Sequence, residues 1–198
     1  MKIDRILSMI YKIFDTPDDQ LLDRIAKDVI KGAVVIYPTD SLYAVGCQLS
    51  KYDKFIKVLA KMGRVKVFSE LSVLVDSFEM ANEVAHMSTP IYRAMKQSKA
   101  PTTWILPANK HYFKQKKLPF REQVGIRICE HPIVKGLIHK MGGPLLSASL
   151  EERDPEFWQY GDPDEIIAQF GPHVDIVIDA GHVMGEPSLL VNGCLDET

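Results

Sequence analysis

GAVVIYPTDSLYAVGC, residues Gly32 to Cys47, begins as one kind of structure and ends as another. Ala33-Val34-Val35-Ile36-Tyr37 is apolar and rich in β-branched side chains, the composition of a buried strand. Pro38 ends that strand because it has no N–H for a ladder. Thr39, Asp40 and Ser41 then place three short polar side chains where the strand leaves its sheet. Strand ends in open α/β sheets are where ligands tend to bind, so the stretch is readable as a site. It is equally readable as a turn in which Asp40 and Ser41 bond their own backbone.

Tyr37 to Cys47, YPTDSLYAVGC, resembles the opening motif of the YrdC-like family, a hydrophobic strand followed by Y-P-T-[DE]-[ST]-x-Y-[GA]-[LV]-G. That family includes the threonylcarbamoyl-AMP synthases and the YciO-type proteins. The resemblance runs from Leu22 to Asn192, and later segments keep the family's order. Pro101-Thr102-Thr103-Trp104-Ile105-Leu106 is similar to P-G-P-x-T-x-I-L at Pro101 and Thr103. Val124-Gly125-Ile126-Arg127-Ile128 resembles V-G-[IL]-R-[VI]-P, with Cys129 in place of the Pro. Ser147-Ala148-Ser149-Leu150 stands where synthases have S-A-N-x-S-G, and is closer to the YciO-type S-T-S-L. Gly185 to Asn192 is similar to G-x-[EP]-[PS]-S-T-V-[VI]-D at Ser188, with Leu189 for the Thr and Asn192 for the Asp. Lys61, Arg64 and Lys66 are the cations available where synthases carry a Lys-x-Arg pattern and a further Lys.

The resemblance implies one α/β domain over residues 1–198, a twisted, mixed parallel and antiparallel sheet flanked by helices around an open cavity. It also implies an activity: L-threonine, bicarbonate and ATP joined into threonylcarbamoyl-AMP, with release of pyrophosphate, for modification of adenosine in tRNA. ATP would arrive with Mg²⁺ as a substrate complex, with no tightly bound cofactor. Such chemistry asks the protein for positioning and phosphate neutralisation rather than for a nucleophile. The implied binding residues are Thr39, Ser41, Tyr43, Lys61, Arg64, Lys66, Thr103, Arg127, Ser147, Ser149 and Ser188. No catalytic residue and no metal ligand is assigned. The missing Asn and Gly after Ala148 leave a second reading, a weak or inactive paralogue that binds nucleotide, tRNA or double-stranded RNA in the same cavity.

Composition sets outer bounds. The chain has 198 residues, 46% hydrophobic and 25% charged, with a net charge of −2. That is an ordinary globular balance with apolar content for a core. The charge gives no global nucleic-acid signature, so RNA contact needs a local basic patch. Lys110 to Arg121 is the most basic stretch, and Tyr112 and Phe113 among its cations suit either a solvated face or stacked bases. The three cysteines, Cys47, Cys129 and Cys194, are far apart and odd in number, which argues against a disulfide framework or a zinc site. The six histidines, at positions 86, 111, 131, 139, 173 and 182, show no metal-ligand spacing. There is no dinucleotide fingerprint and no P-loop. No run approaches a membrane span, and the N-terminus makes a poor signal peptide; a cytoplasmic protein is expected.

Periodicity predicts strands near 33–37, 71–75, 103–107, 124–128, 145–149 and 174–178. Helices are expected from the acids after Pro17 to Lys31, over 51–61, over 79–85 behind Asp76 or Ser77, from Thr89 to Gln97, over 132–141, and from Asp162 to Phe170. Residues 1–15 fit either a strand or a short amphipathic helix. Glu151 to Asp154 reads as an acidic loop. The cavity is expected to be positive although the chain is net acidic. Arg127 is the sharpest case. Alternation puts Ile126 and Ile128 on one face of their strand and the guanidinium on the other. A buried guanidinium needs an anion, either a ligand phosphate or carboxylate or an internal Asp or Glu.

Overall fold

A computed structural model describes residues 8–13, 17–64, 66, 68–119, 121–150 and 161–194. Among them one nine-stranded sheet runs in the order β1-β8-β2-β3-β7-β4-β6-β5-β9. The strands are β1 (Met9–Lys12), β2 (Val35–Tyr37), β3 (Ala44–Gln48), β4 (Ser72–Val75), β5 (Thr102–Pro107), β6 (Gln123–Ile128), β7 (Leu145–Ser149), β8 (Ile176–Asp179) and β9 (Leu189–Asn192). Pairing is mixed. β1/β8, β2/β8, β4/β6 and β5/β9 are parallel, while β2/β3, β3/β7, β4/β7 and β5/β6 are antiparallel. The expected mixed α/β sheet is the one found.

Seven helices accompany the sheet among the described residues: α1 (Asp19–Lys31), α2 (Tyr52–Lys61), α3 (Phe78–Val84), α4 (Thr89–Gln97), α5 (Lys110–Gln115), α6 (Pro132–Met141) and α7 (Pro163–Phe170). Their boundaries follow local chemistry. Asp18 caps α1 by accepting from the Gln20 and Leu21 amides, and Gly32 stops it in the left-handed region at φ 116°. Ser77 and Asp162 cap α3 and α7 as the sequence suggests. At α4 the cap is Ser88, whose hydroxyl accepts from Ile91; Thr89 is already the first helical residue.

The helices cover the two faces of the sheet unequally. One face is roofed by α2, α3, α4, α5 and α7, enclosing Phe55, Leu59, Val73, Val75, Leu106, Phe113 and Ile126. The other face is covered by α1 and α6, which pack on each other and on Val35, Tyr37, Leu74, Leu145, Ile176 and Ile178. That second layer stops at the middle of the sheet. Beyond it a row of short side chains crosses adjacent strands in register: Gly46 opposite Ser147, Ser147 opposite Ser72, Ser72 opposite Gly125. A face built of Gly and Ser loses little by staying wet.

Three strands were not on the expected list. Residues 9–12 resolve the open choice as a strand, β1, although residues 1–7 and 14–16 lie outside the described set. β3 is too rich in small residues to stand out, but it is held by ladders to both β2 and β7. β9 pairs only with β5 and leaves Leu189 and Leu190 exposed, so it lacks the burial pattern that announces a strand. The basic stretch also differs from its reading as a display of aromatics. Tyr112 and Phe113 are turned into the core rather than displayed among the cations. Arg121 is buried too, donating to the carbonyls of Leu71 and Phe68 with its guanidinium 4.1 Å from the Phe68 ring centroid. Burial without an acid pulls its pKa down to about 10. Of the cysteines, Cys47 and Cys129 are buried, while Cys194 is half-exposed.

Gly46 is a place where size matters. A Cβ there would lie 2.5 Å from the Leu146 carbonyl oxygen and 2.9 Å from the Tyr37 hydroxyl. Gly46→Ala is therefore expected to destabilise the fold by about 1–3 kcal/mol through overpacking. Urea unfolding measures this, and an unchanged midpoint would show that β3 and β7 can separate freely there.

Candidate functional site

The uncovered half-face is the floor of a cleft of about 510 Å³, mouth included. Ser72, Thr103, Ser147 and Ser149 rise from it, the turn after β2 forms one wall with Ser41 to Ala44, and Pro187 and Ser188 form another. Arg127 is the one charged side chain among the described lining residues.

Arg127 projects from β6 on the face opposite Ile126, as alternation requires, and is 8% exposed. Its Nη2 donates to Asp40 Oδ1 at 2.5 Å, to Ser41 Oγ at 2.8 Å and to Thr39 Oγ1 at 3.4 Å. Of the two partners expected for it, the structure shows the internal carboxylate, and the pair sits at the cleft wall. Its Nε is buried and has no partner. Asp40 also accepts from the Glu130 amide at 3.2 Å and from the Cys129 thiol at 3.3 Å. Burial by itself would raise the Asp40 carboxyl; the Arg127 charge and these hydrogen bonds outweigh it and hold it below its ordinary 3.8.

Thr39–Ser41 does form a turn, closed by Thr39 rather than by Asp40 or Ser41. Thr39 Oγ1 donates to the Leu42 carbonyl at 2.6 Å and accepts from the Ser41 amide at 3.1 Å, which closes a hydroxyl-stapled turn. Since the Thr39 proton is committed, the 3.0 Å contact between the two hydroxyls has Ser41 as donor. Ser41 Oγ is left accepting from Arg127. The turn is thus tied to β6 across 86 residues of sequence.

Ser147, Thr103, Ser188 and Tyr43 lie around this corner. Ser147 Oγ accepts from the Tyr37 hydroxyl at 2.6 Å, so its own proton is available to the cleft. Thr103 and Ser188 hydroxyls lie 3.2 Å apart and link the floor to the wall. Tyr43 lines the cleft, but its hydroxyl donates to the Gly181 carbonyl at 2.8 Å and accepts from the Ala180 amide at 2.9 Å. It fastens the segment leading to Pro187 and Ser188, and burial pushes its pKa to about 12.

The expected phosphate cations do not gather here. Arg64 donates to the carbonyls of Ser149 and Leu150 and lies 5.5 Å from the Phe170 ring centroid, where it clasps the end of β7. Lys61 is exposed at the end of α2 and Lys66 is half-buried beyond it; neither lines the cleft. Glu151 to Asp154 lies outside the described residues. The residues that sequence reasoning left out are Asp40 and Ser72. Asp40 stood inside the motif, but its role shows only once Arg127 is beside it. Ser72 announced itself only as a polar residue in an apolar strand.

The sequence and this fold match a known class. Residues 28–197 match the Sua5/YciO/YrdC family, whose description reads "Telomere recombination", and the chain belongs to that family. Among relatives, it is 26% identical over 179 residues to the uncharacterized protein YciO of Escherichia coli K12, covering 90% of this chain and 86% of that one. It is 30% identical over 140 residues to a threonylcarbamoyl-AMP synthase of Xanthomonas campestris, covering 68% and 71%. The E. coli YciO crystal structure superposes with a TM-score of 0.79 at 25% identity over 96% of this chain and 92% of that one. P. abyssi Sua5, solved with L-threonine, gives 0.78 at 18% identity over 93% of this chain; the match spans 54% of that longer protein and speaks to fold alone. No helix among the described residues is long and apolar enough to cross a membrane.

Asp40→Asn leaves Arg127 without its counter-charge. It is expected to cost about 1–3 kcal/mol, less than the ~3–5 of a sealed pair because the cleft admits water. The folded-state pKa of Asp40 is depressed, so its stabilisation is present above the ordinary value of 3.8 and lost as pH falls through the lower folded value. The stability difference between the parent and Asp40→Asn is thus constant near neutrality and shrinks in that acid window. A difference that stays level to the lowest pH at which both fold would contradict this.

Proposed function

We propose that the chain is a nucleotidyltransferase of the threonylcarbamoyl-AMP synthase type, using L-threonine, bicarbonate and MgATP. The observation that carries this reading is the convergence of Arg127, Ser41 and Thr39 on one corner of a cleft otherwise lined by hydroxyls. A guanidinium at the cleft wall with neighbouring hydroxyls suits a carboxylate or phosphate oxygen, and hydroxyls suit the remaining polar atoms of an amino acid or a ribose. P. abyssi Sua5, a protein of the same fold, binds L-threonine, and curated relatives bear the synthase name. Among the described lining residues there is no carboxylate to hold a metal, and Mg²⁺ would enter with the triphosphate as part of the substrate.

In this reading the protein acts by placement. Arg127 and the Ser41 hydroxyl hold the amino acid, Ser147 donates to an oxygen over the floor, and Thr103 with Ser188 sets the far wall. The threonine amine and bicarbonate condense to a carbamate with loss of water, a carbamate oxygen attacks the α-phosphorus of ATP, and pyrophosphate leaves. Pyrophosphate release that needs all three substrates is the expected result; release without threonine, or none, would overturn the assignment.

A second reading is a weak or inactive paralogue that binds nucleotide in the same cleft: among the described lining residues Arg127 is the one cation, it is held by Asp40, and Arg64 is occupied at the end of β7. Binding of tRNA or double-stranded RNA there would need a basic patch that these residues do not form. A gel shift with tRNA, and its slope against salt, tests the RNA form of this reading.

Arg127→Ala separates ligand binding from folding. It is expected to weaken threonine and nucleotide binding by at least about tenfold, the worth of one charge-assisted contact, while far-UV circular dichroism is unchanged. Lys at this position should restore only part, since it lacks the planar fork. Binding unchanged in the Ala variant would remove Arg127 from the site.

A further inference from the structure

A second cleft lies on the opposite face of the sheet from Arg127. It has a volume of about 320 Å³, at the lower end of the range of small-molecule sites. Its position follows a topological rule. β4 and β6 are adjacent and parallel. After β4 the chain turns into α3 and α4 on one face of the sheet, whereas after β6 it turns into α6 on the other. Where neighbouring parallel strands send their connections to opposite faces, a crevice opens outside their carboxyl ends, and ligands of open α/β sheets bind in such crevices. Phe78, just past β4, and Ile128 and Glu130, at and past the end of β6, line this one.

Its walls are of two kinds. Trp104, Met95 and Phe78 make an apolar bed, with Trp104 pointing away from Arg127 by strand alternation. Lys96 and Lys99 from the end of α4 stand over it, and Asp40 and Glu130 close it. The four charges do not cancel. Asp40 is taken by Arg127 at 2.5 Å and Glu130 by Lys135 at 2.7 Å. Lys96 lies 6.0 Å from the Tyr92 ring centroid, and neither it nor Lys99 has an ion pair among the described residues. The excess is positive, above an aromatic floor.

We propose that this cleft binds a small organic anion, a carboxylate or phosphate monoester carried on a flat apolar body, with the body on Trp104 and the anion between Lys96 and Lys99. The site is separate from the threonine and nucleotide cleft; Asp40 stands between the two. Flat apolar bodies stack on Trp, and paired ammonium groups favour an anion whose other neighbours are already neutralised.

The test uses the full chain with Trp158→Phe, so that Trp104 gives the one tryptophan indole N–H resonance. Phenyl phosphate, phenylacetate and the uncharged benzyl alcohol are titrated in turn. Saturable movement of the Trp104 resonance by one or both anions, with benzyl alcohol at least about tenfold weaker, is the expected result. The tighter of the two anions identifies phosphate or carboxylate as the class. Joint replacement Lys96→Ala and Lys99→Ala should raise the Kd at least about tenfold while the remaining spectrum stays dispersed and folded. The proposal is overturned by any of three results: no saturable shift up to about 10 mM, equal binding of the alcohol, or binding that survives loss of both lysines.

Discussion

The contact between Arg127 and Asp40 is the constraint on which the centre of this molecule depends. A guanidinium placed inside a sheet cannot be left alone, because an unpaired buried charge costs several kcal/mol. Asp40 supplies the counter-charge at 2.5 Å, and Ser41 and Thr39 supply oxygens from the same turn. One side chain from β6 thereby fixes the geometry of a turn that follows β2, with three strands between them in the sheet order. The hydroxyl that closes the turn and the hydroxyl that receives Arg127 are neighbours two residues apart. Local turn chemistry and long-range electrostatics specify the same conformation.

The second constraint is size. Gly46, Ser147, Ser72 and Gly125 sit side by side across four strands. Larger apolar residues in that row would demand a helix over them, as Leu74 and Leu145 do one step along the strands, where α6 covers them. Short side chains remove that demand and leave a wet floor ready for polar ligand atoms. The cleft is thus a place where the core was not continued. Arg127 stands at its border, with Cys129 and Leu74 on the packed side and Thr103 and Ser147 on the open side.

Much of this was legible in the sequence, for identifiable reasons. Six strands announced themselves through apolar β-branched runs, and α1, α3 and α7 through their caps. Arg127 could be placed on the face away from Ile126 because strand alternation is rigid. β3 and β9 were not legible. The first is made of small residues and owes its form to ladders on both sides; the second has exposed leucines and a single partner. At the site, the motif led to Thr39, Ser41 and Ser147, but no local signal tells that Arg64 bends back to the carbonyls of Ser149 and Leu150, 85 and 86 residues on. Nor does a basic stretch reveal that Tyr112, Phe113 and Arg121 turn inward. Charge patterns describe composition along the chain, whereas the direction of each side chain is set by packing that the pattern does not contain.

The central claim is that Arg127 serves a ligand in the cleft as well as Asp40. The most direct measurement is a crystal structure of the protein soaked with ATP, Mg²⁺ and L-threonine. The account predicts a ligand carboxylate or phosphate oxygen within hydrogen-bonding distance of Arg127, with Ser147, Thr103 and Ser188 around the same molecule. Ligands bound elsewhere, with the guanidinium still closed on Asp40 and no ligand atom near it, would contradict it.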